Sequence, residues 1–196
     1  MDIAAHALWA GAGMLMARRL WVDSAEANGP PDRPHRGETA RTVALTVVMA
    51  ALPDLIHLLP MIAWWIFGNG TAAGLYAYAT ASPGQEPPMP HWVQHFAHHL
   101  HCIMHSAITT AAAALLLWLA LRTLWLPLLG WWSHVVIDVF THSAAFYPSP
   151  VFYPLTQQGF DGIAWNTPWF MLLNYGLLVA VWSYLSWRRW RVRAPF

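Results

Sequence analysis

The chain has 196 residues, of which 57% are hydrophobic and only 10% charged, with a formal net charge of +1. That composition, with its positive mean hydropathy, is far more apolar than a soluble domain of this size and reads as an integral membrane protein. A near-neutral chain excludes nucleic acid as partner, which needs a concentrated basic face, and the single cysteine, Cys102, excludes an intrachain disulfide or a multi-thiolate metal site.

Hydropathy predicts a single all-α membrane domain over residues 1–196, a helical bundle with about five spans near 3–21, 42–67, 96–121, 124–143 and 167–187. The apolar run that opens the first span is followed by Arg18 and Arg19 and has no small-residue cleavage site before them, so it reads as a mature helix and not as a signal peptide. It carries His6 within a turn or two of its start. The connection after it is charged and holds Gly29-Pro30-Pro31 and Pro34, which makes it a loop.

In the second span, Pro53-Asp54-Leu55-Ile56-His57 sets a carboxylate and an imidazole three residues apart, on one helical face, beside a proline that opens the backbone locally. Pro60, one turn further on, adds a second bend. A connection of Gly, Pro, Ala and Tyr with one acid, Glu86, leads to the densest cluster, His95-Phe96-Ala97-His98-His99-Leu100-His101-Cys102-Ile103-Met104-His105-Ser106. His101 and His105 share one face there; His91, His95 and His98 share another, either as an interfacial start to the helix with solvated imidazoles or as further members of the site.

The fourth span contains the run Gly130-Trp131-Trp132-Ser133-His134-Val135-Val136-Ile137-Asp138-Val139-Phe140-Thr141-His142. Four-residue spacing puts His134, Asp138 and His142 in one polar stripe roughly 12 Å long. Ionisable groups are costly at membrane depth and persist where they meet partners in a protein interior. The loop after this span, 144–166, carries Tyr147, Tyr153 and Trp165, placed either to roof a pocket or to anchor at the interface.

There is no lysine, and the ten arginines fall between spans one and two, between three and four at Arg122, and after span five. The positive-inside rule then predicts an N-terminus outside and a cytoplasmic C-terminus. On that topology Asp54 lies near mid-bilayer or just beyond, and His6, His57, His101, His105, Asp138 and His142 fall at overlapping depth toward the extracytoplasmic side.

Imidazole and carboxylate are the usual nitrogen and oxygen donors to zinc and other borderline divalent ions. His6, Asp54, His57, His101, His105, His134, Asp138 and His142 are therefore the candidate ligands, sufficient for one or two ions, most naturally Zn2+. Asp54 or Asp138 is the candidate catalytic base if it is not a ligand; spacing alone does not apportion these roles.

The chain resembles the membrane-bound metal-dependent hydrolase family, some of whose members are LexA-regulated inner-membrane proteins. The likeness lies in His6 with Gly11, Leu52-Pro53-Asp54, His105-Ser106, Ser133-His134-Val135-Val136-Ile137-Asp138, Tyr153-Pro154-Leu155 and Gly162-Ile163-Ala164-Trp165. It departs from the family pattern at Leu100-His101-Cys102, where an Arg and a Gly are expected after the first histidine, and at Met104, where a Thr is expected before the His-Ser pair. The resemblance implies a helical fold in a bacterial-type inner membrane and a hydrolytic metal site built from His6, Asp54, His105, His134 and Asp138.

The expected function is thus a membrane-embedded hydrolase in which metal-activated water attacks an ester or phosphoester of a lipid or other extracytoplasmic substrate. Two alternatives use the same residue types. His95-Phe96-Ala97-His98-His99 matches the HxxHH box of membrane di-iron oxygenases and desaturases, which would make the metal iron. A divalent-metal transporter also needs intramembrane His and Asp, but residues 111–118 and 124–129 offer almost no polar path to the far side.

Overall fold

The computed structural model describes residues 1–28 and 36–193. The glycine-proline run at 29–31, Arg33, Pro34 and His35 lie outside the described residues. Among those described there are eight α-helices and no strand: α1 (Ile3–Asn28), α2 (Arg36–Ile56), α3 (Leu59–Phe67), α4 (Ala72–Ala79), α5 (His91–Met104), α6 (Ala107–Leu121), α7 (Leu128–Thr141) and α8 (Pro168–Arg193).

Two described stretches are helical, long and apolar enough to cross a membrane, Thr39–Ile56 within α2 and Pro168–Arg191 within α8. The α5–α6 pair, bent by 66° at its break, makes a third if it is one broken span. Four of the expected five spans therefore take a different form. The span expected at 42–67 is divided: Pro53 lies inside the last turn and a half of α2, which stops at Ile56, and α3 starts afresh with Pro60 in its first turn, where a missing N–H costs nothing. The fourth is a helix of 14 residues, about 21 Å long against a hydrocarbon core of about 30 Å. The first is long enough at 26 residues, but Arg18, Arg19, Asp23 and Glu26 break its apolar run.

The expected third span breaks at His105-Ser106. Ser106 is the N-cap of α6: its Oγ accepts from Ile108 N (3.1 Å) and Thr109 N (3.3 Å) and donates to Tyr153 O (2.6 Å). Ala107 N is taken by Val151 O at 2.9 Å. The Ser side chain and the 148–155 loop thus satisfy backbone groups that a break in an apolar run would otherwise leave bare. At the other side of the break, Trp131 Nε1 donates to Met104 O at 2.6 Å, which ties the end of α5 to α7.

Packing is centred on α2, which lies against both α1 and α7, with α8 outside α1 and α5 across the end of α2. The α2–α7 crossing is a backbone contact. A Cβ at Gly130 would fall 2.0 Å from Thr46 O and 2.9 Å from Ala50 N, so no side chain fits between the helices there.

Burial runs opposite to that of a soluble protein. His6, His105, His134 and Asp138 are fully enclosed, whereas Leu116, Leu172 and Val179 on the outer helix faces are more than 60% exposed. Polar groups inside an apolar exterior are what a lipid surround demands.

Candidate metal centre

Four donors from three parts of the chain converge where α2, the α5–α6 break and α7 meet. One ligand atom from each of Asp54, His105, His134 and Asp138 can be chosen so that all lie within 4.8 Å of one another. His134 Nε2 is 3.1 Å from His105 Nε2 and 3.1 Å from Asp138 Oδ2. His105 Nε2 is 3.3 Å from Asp138 Oδ2 and 3.4 Å from Asp54 Oδ1, and His134 Nε2 is 3.7 Å from Asp54 Oδ1.

The local fold fixes which ring atoms face inward. A carbonyl oxygen only accepts, so His134 Nδ1 must donate to Ala50 O (2.7 Å) and His105 Nδ1 to His101 O (2.8 Å). The first bond exists because Gly130, one turn earlier, lets α7 approach the backbone of α2. The second exists because His105, the C-cap of α5, folds its ring back over a carbonyl at the helix end.

With both Nδ1 atoms committed, the two Nε2 atoms face each other and two carboxylates across about 3 Å. Asp54 Oδ2 and Asp138 Oδ2 are buried with no hydrogen-bond donor. Such a knot of lone pairs and negative charge needs a cation. A proton bridges one pair of atoms, whereas four converging donors suit a metal ion, whose bonds of about 2.0–2.2 Å to N and O leave ligand atoms roughly 3.3 Å apart around a tetrahedron. The residues therefore fit a divalent ion.

The other predicted residues lie around this group. His6 Nε2 donates to Asp138 Oδ1 at 2.8 Å, and its ring stacks on His134 with centroids 3.8 Å apart. His142 Nδ1 donates to Tyr147 O at 2.5 Å, leaving Nε2 to face Asp138 Oδ1 at 3.5 Å. The Met1 amine also contacts Asp138 Oδ1 and lies 3.1 Å from His142 Nε2. Asp138 is thus divided: Oδ1 meets His6, His142 and the amine, and Oδ2 faces the two inner imidazoles. Aspartate Oδ1 also receives Thr141 Oγ1, at 3.4 Å.

His101 stacks on His105 with centroids 4.0 Å apart, and His57 meets His101 edge-on at 5.6 Å. Neither belongs to the four-donor group. The histidines of the HxxHH run are outside the four-donor group and have other partners: His99 Nδ1 pairs with Tyr153 OH at 2.9 Å, His98 Nε2 with Cys102 Sγ at 3.6 Å, and His95 packs edge-on against Phe96.

A cavity of about 1210 Å3 reaches the centre through Asp54, His57, His101 and His142. Its far wall comes from the connections 68–90 and 143–167, neither of which contains an arginine. The second connection is fixed to α7 at its base. Gly162 N, Ile163 N and Trp165 N donate to the carbonyls of His142, Phe140 and Thr141, each at 2.9 Å, and take up the open end of the helix. A Cβ at Gly162 would sit 2.4 Å from Phe140 O, so the contact requires glycine.

At the cavity wall Tyr147, held at a positive φ of 46°, donates its hydroxyl to Glu86 Oε1 at 2.7 Å. Burial, then the hydrogen bond to Glu86, pushes the Tyr147 hydroxyl pKa up; burial and the charge of Glu86 do the same to Tyr78. Sequence reasoning missed the Tyr147–Glu86 link, and it missed the anchoring carbonyls of Ala50 and His101, which have no signature in residue type. Gly130 was visible at the head of the fourth-span run as the one residue without a side chain.

Comparison of the chain with family models, curated proteins and solved structures returns no match.

Proposed function

We propose that this chain is a membrane-embedded, metal-dependent hydrolase of the inner membrane, with its centre open toward the extracytoplasmic side. The observation that carries the reading is the four-donor group of Asp54, His105, His134 and Asp138 at the inner end of a large cavity. The resemblance of Leu52-Pro53-Asp54, His105-Ser106 and Ser133–Asp138 to membrane-bound metal-dependent hydrolases supports the same reaction class. The arginine-free connections that wall the cavity, set against Arg188, Arg189, Arg191 and Arg193 after the last helix, support a five-span topology with the N-terminus outside and the C-terminus cytoplasmic.

His105 and His134 would hold the ion through Nε2, with Asp138 Oδ2 and Asp54 Oδ1 as oxygen donors. A divalent ion, Zn2+ by donor chemistry, supplies Lewis acidity that acidifies water and polarises a carbonyl or phosphoryl oxygen. His6 holds Asp138 by its other oxygen and fixes its orientation. Asp138 is fully enclosed, whereas Asp54 lines the cavity. Asp54 is therefore the carboxylate that can take a proton from water arriving through the cavity.

The test is metal content and ester hydrolysis of the purified full chain. Wild type is expected to retain near-stoichiometric zinc after dialysis, and Asp138→Asn and His134→Ala to stay folded and lose it together with turnover. Full metal content and activity in both variants would end the assignment.

A further inference from the structure

The cavity holds a second piece of information, the charge of its walls, and this deepens the hydrolytic reading on which it rests. Its carboxylates are Asp2, Asp54 and Glu86, and among the described residues no arginine or lysine lines it. The amine of Met1 is engaged by Asp138. Asp2 Oδ1 accepts from Tyr175 OH at 2.8 Å, and Glu86 from Tyr147. A divalent ion at the centre is already balanced by Asp54 and Asp138.

A phosphoester would bring further negative charge beside Asp54, into a low-dielectric pocket without the Arg or Lys clamp that phosphoryl chemistry uses. Apart from the imidazoles of its histidines, the anion-favouring element on the wall is the N-terminus of α5 at His91. It is about 15 Å of helix away from His101. A carboxylic ester arrives uncharged and develops a single negative charge on its carbonyl oxygen, which one ion held by the four donors would balance.

Size and shape supply the rest. The volume of about 1210 Å3 exceeds the roughly 300–1,000 Å3 of drug-sized sites. Leu58, Met89, Phe146 and Trp165 line its apolar parts, and Trp92 and Phe96, themselves 46% and 55% exposed, carry that lining out to the exposed face of α5, beside Gln94, His95 and His98.

We propose that the substrate is a neutral long-chain carboxylic ester, its acyl carbon beside Asp54 and its hydrocarbon running past Trp92 and Phe96 toward the lipid phase. The oxygen of water bonds to the acyl carbon while its proton passes to the Asp54 carboxylate. The acyl carbon–alkoxy oxygen bond then breaks and the leaving alkoxide takes that proton, giving one carboxylic acid and one alcohol.

The experiment uses the full chain in lipid nanodiscs, loaded with Zn2+, at about pH 8, above the ordinary imidazole range. The probes are para-nitrophenyl dodecanoate, para-nitrophenyl acetate and bis(para-nitrophenyl) phosphate, with a non-hydrolysable dodecyl ether as competitor. The dodecanoate is expected to exceed the acetate about tenfold in kcat/KM, a factor typical of one good apolar contact. The ether should compete, and the phosphodiester should remain at the metal-free background. Trp92→Ala and Phe96→Ala should each raise KM for the dodecanoate and weaken the ether.

Faster hydrolysis of the phosphodiester than of either ester would overturn the inference and leave the hydrolytic reading standing, as would equal rates on acetate and dodecanoate with no competition by the ether. Absence of turnover on all three probes, with zinc bound, would remove both.

Discussion

His105 Nε2 and His134 Nε2 face each other at 3.1 Å, and each ring is held from behind by a main-chain carbonyl, that of His101 for one and of Ala50 for the other. The rings cannot exchange tautomers without giving up a buried hydrogen bond. The centre is therefore preorganised: its lone pairs are aimed before any ion arrives, and three predictions follow from what does the aiming.

His6 meets the centre through its hydrogen bond to Asp138 Oδ1 and by stacking on the His134 ring, and offers no atom to the four-donor group. His6→Ala should weaken zinc binding about 10- to 100-fold, the usual cost of removing a group that orients a ligand, without abolishing it. Competition with a chelator of known affinity measures this. An effect as complete as that of His134→Ala would make His6 a ligand.

Gly130 sets the distance between α2 and α7. In Gly130→Ala the new Cβ would meet Thr46 O at 2.0 Å, and backbone cannot move aside as a side-chain tip can. The helices must separate, at a cost of about 1–3 kcal/mol for an overpacked interior. His134 then loses its bond to Ala50 O, so metal affinity should fall together with thermal stability. A stable variant with unchanged affinity would show that the crossing does not position His134.

Tyr147 ties the loop after α7 to Glu86, and its hydroxyl pKa is raised in the fold. The unfolded chain releases this proton near pH 10 while the folded chain keeps it, so the folded state binds more protons above that pH. The stabilisation is complete below about pH 10 and is lost as pH rises toward the folded value. Tyr147→Phe should lower the melting temperature at neutral pH and flatten its decline on the alkaline side; melting curves at several pH values test this, and an unchanged alkaline slope would count against the link.

Much of the centre was legible because its residue types are out of place. His134 and Asp138, four apart in an apolar run, predicted a shared face, and both are in the donor group; Pro53 beside Asp54 predicted a local opening, and α2 ends three residues later. Hydropathy ran straight through His105-Ser106, because it sums side-chain preference along the chain and is blind to chain direction. The break there depends on Ser106 capping α6 and on the carbonyls of Tyr153 and Val151, far along the chain, accepting at the gap. The division of the candidates into inner and outer groups was equally hidden, since His6 and His134 are the same residue type in similar helices.

By itself the sequence determined an α-helical, lipid-compatible chain whose imidazoles and carboxylates had to find one another, since nothing else in so apolar an environment could satisfy them. Tertiary structure decided which of them meet, by which atom, and at the end of what cavity. Those outcomes turn on main-chain carbonyls and on a crossing close enough to exclude a methyl group, and such contacts arise only when segments distant in the chain are brought together.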